Sequence, residues 1–425
     1  MPDVVPDFYS DPETIADPRT YFDLMRARCP VAKEPYHGTV MVTGYDEIMD
    51  VYGRKDGTFS SAPSVVGPIP PLPFQPEGDD VRAQFDACRD TLPWSAHLVC
   101  FDGKKHTDHR ALLTNLLTYK RLIQNEEYLV GLADRIIDGF IGKGYCNVVP
   151  EYSHATTTYA ISDLMGIPIE DRAELLAMIG SPSQVEGDAG HMVEPDPLIF
   201  LKERFDGYIR ERQKTPCSDL MSELAASRFK DGSIPDPEML SRLARFLFGA
   251  GQDTTSHLIS MAIRILGEDS DLQRRLRQEP GRIPDFLEEV LRYDGPVKMA
   301  YRLALQSTAV GGVEVPAGTI VALSLAGASN DPRHFEKPQE FNIDRARLRD
   351  HLGFSKGTHG CLGAPLARLE ARVAIARILE RLSEIRISEA HHGPPDARRY
   401  RFQPTYTFRS LSDLHIEFQA DAQKR

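Results

Sequence analysis

The chain lacks any run of apolar residues long enough to cross a bilayer. Its N-terminus, MPDVVPDFYSDPETIADP, has neither the basic stretch nor the apolar stretch of a signal peptide. These two absences predict a cytoplasmic protein without membrane insertion. Basic residues are also outnumbered, and the formal net charge of -12 would repel a phosphate backbone. Nucleic-acid binding is therefore not expected.

Paired cysteines are missing as well. The six cysteines are spread along the 425 residues, and none belongs to a C-x-x-C pair. A structural zinc site is not expected from this spacing. A disulfide framework is not expected either, because no secretion signal is present. Five cysteines should behave as small hydrophobic groups or inert thiols, whereas Cys361 has unusual neighbours.

Internal repeats, low-complexity tracts and linkers are absent, which predicts a single domain over residues 1–425. Most of the chain has the apolar periodicity of helices, and strand signals are short. The helical stretches are 106–122, 128–141, 159–165, 201–212, 237–267, 284–293 and 364–382. The strand signals are 39–42, 302–305, 313–315, 319–323 and 415–418. Two Pro- or Gly-containing stretches, 60–80 and 181–197, are predicted loops. The balance predicts a mainly α fold with small β-sheets.

Three glycines bracket Cys361 in the segment FSKGTHGCLG, residues 354–363. Glycine allows unusual backbone conformations and the close approach of a flat ligand. The next residues, APLARLEARVAIARILERL, predict a strong helix, so Cys361 should lie just before a helix N-terminus. The N–H groups and the positive dipole end there favour a thiolate, the form that binds iron. The alternative is an inert cysteine in a glycine turn.

The full pattern is F-x-x-G-x-x-x-C-x-G, with a histidine two residues before the cysteine and A-x-L-A-R-x-E after it. This pattern resembles the heme-binding loop of the cytochromes P450. The resemblance implies the cytochrome P450 fold and a heme b cofactor (iron protoporphyrin IX), with Cys361 as the thiolate ligand of the iron. It also implies that Phe354 and Gly363 contact the heme and that His359 hydrogen-bonds a heme propionate.

A second motif, AGQDTT at residues 250–255, is similar to the family's A/G-G-x-D/E-T-T pattern on the distal helix. Its glycine and β-branched residues are poor helix formers and predict a local distortion. The resemblance implies that Ala250 and Gly251 lie against the heme, with Gly251 leaving room for dioxygen. It further implies two catalytic residues: Thr254, which hydrogen-bonds the bound dioxygen, and Asp253, which relays protons from solvent.

Three basic residues match positions that bind heme propionates in this family. His106 and Arg110 fit the pattern H-T-x-x-R, and residues four apart on a helix can face the same anion. Arg302 matches the family's propionate-binding arginine, whose forked donors suit a carboxylate. One departure precedes them: Gly103 and Lys104 stand where many relatives have two prolines.

Glu289 and Arg292 match the family's E-x-x-R motif. Their spacing places both side chains on one helix face. Alone, such a pair is usually a solvated contact that contributes little. The resemblance implies a structural role instead, in which the pair locks the proximal core to residues 341–345.

The resemblance implies a monooxygenase that inserts one atom of dioxygen into a C–H bond, by hydroxylation or oxidative dealkylation. The chain ends soon after the cysteine loop, so we expect no fused reductase and a separate ferredoxin or flavodoxin partner. The resemblance to the cytochromes P450 also implies a monomer. Six basic residues are expected to gather where the partner docks: Lys104, Lys105, Lys120, Arg121, Lys356 and Arg368.

Two alternatives keep the fold but change the function. One is a peroxygenase driven by hydrogen peroxide, and the other is a non-catalytic heme sensor or ligand carrier. The acid–alcohol pair Asp253 and Thr254 disfavours both. The residues that the resemblance places in the substrate pocket are apolar and predict a small to medium hydrophobic substrate. These residues are Phe246, Gly249, Val297, Met299, Ala300 and Phe408.

Overall fold

The protein is mainly helical. A computed structural model describes residues 5–68, 71–179, 196 and 198–420. The α-helices are α1 (Pro12–Ala16), α2 (Arg19–Arg28), α3 (Tyr45–Gly53), α4 (Arg82–Cys88), α5 (Gly103–Thr114), α6 (Tyr119–Asp138), α7 (His154–Met165), α8 (Ile169–Ile179), α9 (Lys202–Lys214), α10 (Leu220–Ala225), α11 (Pro237–Glu268), α12 (Ser270–Gln278), α13 (Ile283–Asp294), α14 (Leu325–Ala328), α15 (Ala364–Arg381) and α16 (Glu389–His392). The strands are β1 (Val31–Lys33), β2 (Val40–Val42), β3 (Phe59–Ser60), β4 (Tyr145–Asn147), β5 (Met299–Ala304), β6 (Thr308–Val310), β7 (Val313–Val315), β8 (Ile320–Ser324), β9 (Leu382–Ile387) and β10 (His415–Ala420).

The longest helix, α11, runs through the core. Asp236 caps it by accepting a hydrogen bond from the Glu238 N–H at 2.7 Å, and Pro237 occupies the first turn, where its missing N–H does no harm. The distortion predicted at the AGQDTT motif is not seen: α11 is continuous. The Thr254 hydroxyl instead donates to the Ala250 carbonyl, 2.9 Å away, within the helix. No helix in the described part of the chain is long and apolar enough to cross a membrane.

One helical prediction was wrong in its extent. The periodic stretch 106–122 is not one helix, because α5 ends at Thr114 and α6 begins at Tyr119. The Thr118 side chain accepts a hydrogen bond from the Arg121 N–H and so starts the new helix. The predictions for 237–267, 284–293 and 364–382 are confirmed by α11, α13 and α15. The predicted loop at 181–197 lies almost wholly outside the described residues.

The strands form three small sheets. The largest has the order β1-β2-β8-β5-β3, with β2 and β8 parallel and the other neighbours antiparallel. The others are β4-β10-β9 and β6-β7. Each predicted strand signal falls on a strand of these sheets. The short strands β1, β3, β4, β6 and β9 were not predicted from the sequence.

Strand β5 separates two sets of side chains. Met299, Tyr301 and Leu303 are fully buried in one hydrophobic cluster. Because successive side chains of a strand point to opposite faces, Ala300 and Arg302 share the other face. The sequence analysis placed both Met299 and Ala300 in the substrate pocket. Met299 packs in this cluster, whereas Ala300 lies on the same face as Arg302, and the place of either residue in a substrate pocket stays a prediction.

The helical core brings the two sides of the site together. Helix α11 packs against α7, α9, α13 and α15. Helix α15 begins at Ala364, directly after the cysteine loop, so the loop ends close to α11. Leu362 and Leu369 pack on the same hydrophobic cluster as Leu247 and Phe248 of α11. The distal motif and the cysteine loop therefore meet in one region of the molecule.

Candidate active site

The cysteine loop is a tight turn whose shape requires glycine. Gly357 has a φ of +69°, and a Cβ atom there would lie 2.9 Å from the Tyr52 carbonyl oxygen of α3. The Cys361 N–H donates to the Phe354 carbonyl at 2.8 Å. This bond closes the loop and sets the cysteine three residues before α15. The loop thus holds the Cys361 sulfur at a fixed position by its backbone alone.

The ionisation of Cys361 is governed by opposing effects. Burial raises the pKa of its thiol, and this is the largest effect. The N–H groups of Gly363 and Ala364 and the charge of Arg110 lower the pKa by less. The helix N-terminus alone therefore does not produce a thiolate, contrary to the simple dipole argument. A metal cation at the sulfur would supply the missing positive charge, so the site fits a metal-bound thiolate.

Basic side chains from three parts of the chain converge beside this loop. The rings of His106 and His359 lie 4.0 Å apart. Arg110 donates to the Gly360 carbonyl at 2.6 Å, which ties α5 to the cysteine loop. Arg302 extends from β5 and is only 6% exposed. The structure thus brings together all four residues that the sequence assigned to the heme propionates.

The two arginines of this basic cluster have no carboxylate partner within the described residues, and the acid Asp102 acts on His106 only through its charge. Neither Arg110 nor Arg302 forms an ion pair with any residue in the described ranges. Burial, together with the charges of Arg302, His106 and Arg110, lowers the pKa of His359 to about 2. The Nδ1 atom of His106 is buried without a hydrogen-bond partner among the described residues. A partly buried group of donors whose arginines have no carboxylate partner fits a ligand that carries carboxylates, and the two propionates of heme meet this need.

The Pro-rich stretch 60–80 also contributes to this cluster. The Ser61 hydroxyl lies 3.0 Å from Nε2 of His359. Arg302 lies 3.3 Å from the Ser64 hydroxyl and donates to the Tyr301 carbonyl at 2.7 Å. These serines were missed from the sequence because a loop rich in proline gives no periodic signal for its position.

On the distal side, α11 presents Ala250 and Thr254 on one face, joined by the hydrogen bond between the Thr254 hydroxyl and the Ala250 carbonyl. Gly251 faces α7, and a Cβ atom there would meet Ile161 at an ordinary 3.7 Å. This neighbour therefore does not require a glycine. The role of Gly251 in admitting dioxygen stays a prediction.

Asp253 has polar partners that the motif did not predict. Its Oδ1 lies 3.2 Å from Nε2 of His257, which also lies 2.6 Å from the Ser410 hydroxyl. Burial opposes ionisation of Asp253, but the charge and hydrogen bond of His257 outweigh it and lower the pKa of the carboxyl. Burial and His257 also lower the pKa of nearby His154 to about 4. The four-residue spacing to His257 was visible in the sequence, whereas His154 and Ser410 are distant along the chain.

Glu289 and Arg292 form a fully buried ion pair, with 0% exposure of both side chains. Two parallel hydrogen bonds of 2.7 and 2.8 Å join them. Glu289 also accepts from the Asn342 N–H at 2.9 Å, and Arg292 donates to the Pro338 carbonyl at 2.9 Å. The pair thus binds α13 to the backbone of the segment that the sequence analysis named as its partner.

The predicted pocket residues outside α11 come from two chain segments that meet. Val297 forms an isolated antiparallel bridge with Phe408. Ala300 follows on β5 and lies on the face of Arg302. The bridge explains how a residue near the C-terminus reaches the site. Val297, Ala300 and Phe408 therefore remain candidates for contact with a substrate.

The other predicted pocket residues lie on the first half of α11. The ring of Phe246 lies 5.9 Å from the ring of His97, a buried residue that the sequence analysis missed. A Cβ atom on Gly249 would lie 3.2 Å from a methyl carbon of Leu198. Glycine at this position therefore lets the segment before α9 approach α11 closely.

The basic residues expected to dock a redox partner are partly neutralised. Three of the six have acidic partners: Lys104 with Asp108, Arg121 with Glu223 and Arg368 with Glu288. Lys105 lies over the ring of Phe101 at 4.2 Å, and Lys356 reaches the Arg349 carbonyl at 3.4 Å. The net positive charge of these residues is lower than the sequence suggested. Their use in docking stays a prediction.

Comparison with known proteins gives a consistent result. The cytochrome P450 family profile matches residues 76–398. Cytochrome P450 144 of Mycobacterium tuberculosis is 30% identical over 391 residues, which is 89% of this chain and 85% of that protein. Cytochrome P450 CYP150A6 of Mycobacterium marinum, solved in its substrate-free form, is 44% identical with a TM-score of 0.91, covering 98% of this chain and 99% of that one. P450BioI, solved with hexadec-9Z-enoic acid ligated to acyl carrier protein, is 26% identical with a TM-score of 0.80, covering 96% and 99%. The chain therefore belongs to the cytochrome P450 family, whose members are heme-thiolate monooxygenases.

Proposed function

We propose that this enzyme binds heme b through Cys361 and inserts one atom of dioxygen into a C–H bond of a small to medium hydrophobic substrate. Hydroxylation and oxidative dealkylation both begin with such a step. The electrons come from a separate ferredoxin or flavodoxin. One observation carries the proposal: the Cys361 thiol, in a glycine-bounded loop, lies beside a basic cluster whose two arginines form no ion pair within the described chain.

When bound, heme supplies the redox chemistry that reduces and cleaves dioxygen. The chain's own residues hold and orient the cofactor. Cys361 provides one ligand to its metal, and Arg110, Arg302, His106 and His359 surround its carboxylates. These donors lie on fixed elements, α5, β5 and the cysteine loop, so the cofactor is held in one orientation.

Proton delivery is assigned to two residues of α11. The Thr254 hydroxyl donates its hydrogen to the Ala250 carbonyl. Because a hydroxyl oxygen can also accept a hydrogen bond, Thr254 can orient a water molecule on this face of α11. Asp253 lies one position earlier and faces His257, which in turn contacts the Ser410 hydroxyl. An ionised carboxylate accepts protons from that side and can pass them toward Thr254. This acid–alcohol pair favours an oxygenase over a peroxygenase or a passive heme carrier.

The substrate class follows from the apolar lining and from a relative. Phe246, Val297, Ala300 and Phe408 offer no charged group to a substrate. P450BioI binds a fatty acyl chain carried on acyl carrier protein, which is a long apolar ligand. A hydrophobic substrate is consistent with both observations. A screen of hydrophobic compounds for shifts of the heme absorption band would identify candidates.

The first test concerns the iron ligand. The reduced carbon monoxide complex should show the red-shifted Soret band of a thiolate-ligated heme. Cys361→His should retain heme and lose that band, because imidazole replaces the thiolate. A wild-type complex that absorbs like a histidine-ligated heme protein would overturn the assignment of Cys361 and, with it, the proposed reaction.

The second test concerns Thr254. Thr254→Ala should still bind heme and consume NADH through surrogate redox partners, but it should release hydrogen peroxide in place of much of the product. Thr254→Ser keeps the hydroxyl and serves as the matched control, which should retain most of the coupling. Thr255 offers a nearby hydroxyl, so we expect the loss in Thr254→Ala to be large but incomplete. Equal yields of product per NADH in wild type and Thr254→Ala would favour the rival functions.

A further inference from the structure

We propose that His154, Asp253 and His257 form a binding site for a divalent transition metal such as Zn²⁺, separate from the heme iron. We infer that an ion bound there inhibits turnover, because it occupies the carboxylate that supplies protons. The inhibitory part rests on the proposed function, whereas the binding site does not.

The ligand atoms are already grouped. One nitrogen or oxygen from each of the three side chains lies within 4.8 Å of the other two. The shortest measured separation is 3.2 Å, between Nε2 of His257 and Oδ1 of Asp253. Ligands of a tetrahedral zinc ion are roughly 3.4 Å apart, given bonds of about 2.0–2.1 Å. Small rotations of one or two side chains, which move the ligand atoms by about 1 Å, would therefore bring the three atoms to the spacing of a tetrahedral zinc site.

Two packed helices hold these side chains in place. Asp253 and His257 are one turn apart on α11, so they share a face of that helix. His154 is the first residue of α7, which packs against α11. The three ligands are thus carried by rigid elements, and such elements favour metal sites of defined geometry.

An independent observation points to a ligand at this place. The Nε2 atom of His154 is buried and has no hydrogen-bond partner among the described residues. A buried polar atom without a partner costs free energy, so such atoms are rare without a reason. A neutral imidazole nitrogen is available to a metal.

The donor set selects the class of metal. Two imidazoles and one carboxylate suit Zn²⁺ and similar borderline ions, whereas Mg²⁺ and Ca²⁺ prefer oxygen ligands. Three protein ligands leave a fourth position for water. Zinc at Nε2 of His257 would displace the contact of that nitrogen with the Ser410 hydroxyl, 2.6 Å away, and the freed hydroxyl could then hydrogen-bond the water. No lysine or arginine in the described ranges forms an ion pair with Asp253, so no side-chain cation competes for its carboxylate.

Calorimetric titration of the heme-loaded protein with ZnCl₂ tests the site without any turnover. We expect one zinc site whose affinity falls at least tenfold in His154→Ala and in Asp253→Asn. His391→Ala is the matched control, because His391 stacks on His415 in a separate surface group of histidines. His391→Ala should bind zinc at the proposed site with the same affinity as the wild type. MgCl₂ should not bind there.

Turnover measurements test the inhibition. Saturating ZnCl₂ should lower product formation by wild type several-fold, and a chelator should restore it. The ratio of rates with and without zinc, taken within each variant, should be close to one for His154→Ala and unchanged from wild type for His391→Ala. Any effect of zinc on the redox partners would lower this ratio equally in all variants, so the proposed inhibition is the further decrease seen in wild type and His391→Ala but not in His154→Ala.

The outcomes are distinguishable. Absence of zinc binding, or equal affinity in wild type and His154→Ala, would overturn the site. Zinc binding that requires His154 but leaves turnover unchanged would overturn the inhibition. A failure of the thiolate band at Cys361 would overturn the proposed function and leave the calorimetric result standing.

Discussion

Replacing Glu289 with alanine should remove the anchor of the proximal core. Glu289 and Arg292 are both fully buried, and the carboxylate accepts two bonds from the guanidinium and one from the Asn342 N–H. Glu289→Ala therefore removes the acceptor of the Arg292 Nε–H and of the Asn342 N–H, and it removes the carboxylate that also pairs with Arg345 at 3.4 Å. The guanidinium keeps its charge, and no water replaces the lost carboxylate without opening the core.

The expected loss is large compared with the stability of a typical domain. Removing one partner of a buried ion pair costs about 3–5 kcal/mol. The free energy of unfolding of globular domains is about 5–15 kcal/mol. Glu289→Ala should therefore be found mainly as aggregated or heme-free protein, or as a heme-loaded protein with a much lower urea midpoint.

Asp344→Ala is the matched control. Asp344 also pairs with arginines, Arg275 and Arg282, but its side chain is 50% exposed. Surface pairs contribute about 0–1 kcal/mol, so this variant should unfold near the wild-type midpoint. Urea unfolding of heme-loaded protein, followed by circular dichroism, compares the three proteins. Glu289→Ala within about 1 kcal/mol of the control would refute the argument from burial.

Two further predictions concern charge. Burial opposes ionisation of Glu288, but hydrogen bonds from His351 and Arg368 and their charges together lower its pKa from 4.5 to about 2. Because the folded-state pKa is the lower one, its stabilisation is present above pH 4.5 and is lost as the pH falls toward 2, at roughly 3 kcal/mol in total. Glu288→Gln should flatten the decline of the urea midpoint in that range, and an unchanged decline would argue against this residue. Lys356→Glu should slow reduction by a ferredoxin and weaken its dependence on salt, as measured by stopped-flow absorbance; an unaltered rate would remove Lys356 from the docking surface.

The sequence was most informative where one short segment makes the site. Two features that determine the shape of the cysteine loop lie within the loop itself: the positive φ of Gly357 and the backbone hydrogen bond from Cys361 to Phe354. Glu289 and Arg292 likewise share one helix turn. For such local arrangements, spacing along the chain determines spacing in the structure.

The sequence was least informative where distant segments meet. His154 lies near Asp253, and Ser410 contacts His257, because α7 and the C-terminal region pack on α11. No sequence motif encodes this packing. The resemblance named Met299 and Ala300 together, and it did not show that the alternation of β5 places their side chains on opposite faces. The break between α5 and α6 was missed because the capping role of Thr118 is stronger than the apolar periodicity around it.

The groups that surround the cofactor emerge from the ribosome at widely separated times. Arg110 belongs to the first third of the chain, Arg302 comes much later, and Cys361 comes later still. The nascent chain thus acquires the two arginines before the thiol that we propose as the ligand of the metal. The cofactor can gain that ligand only after residue 361 has been synthesised and the segments that carry these groups have folded together.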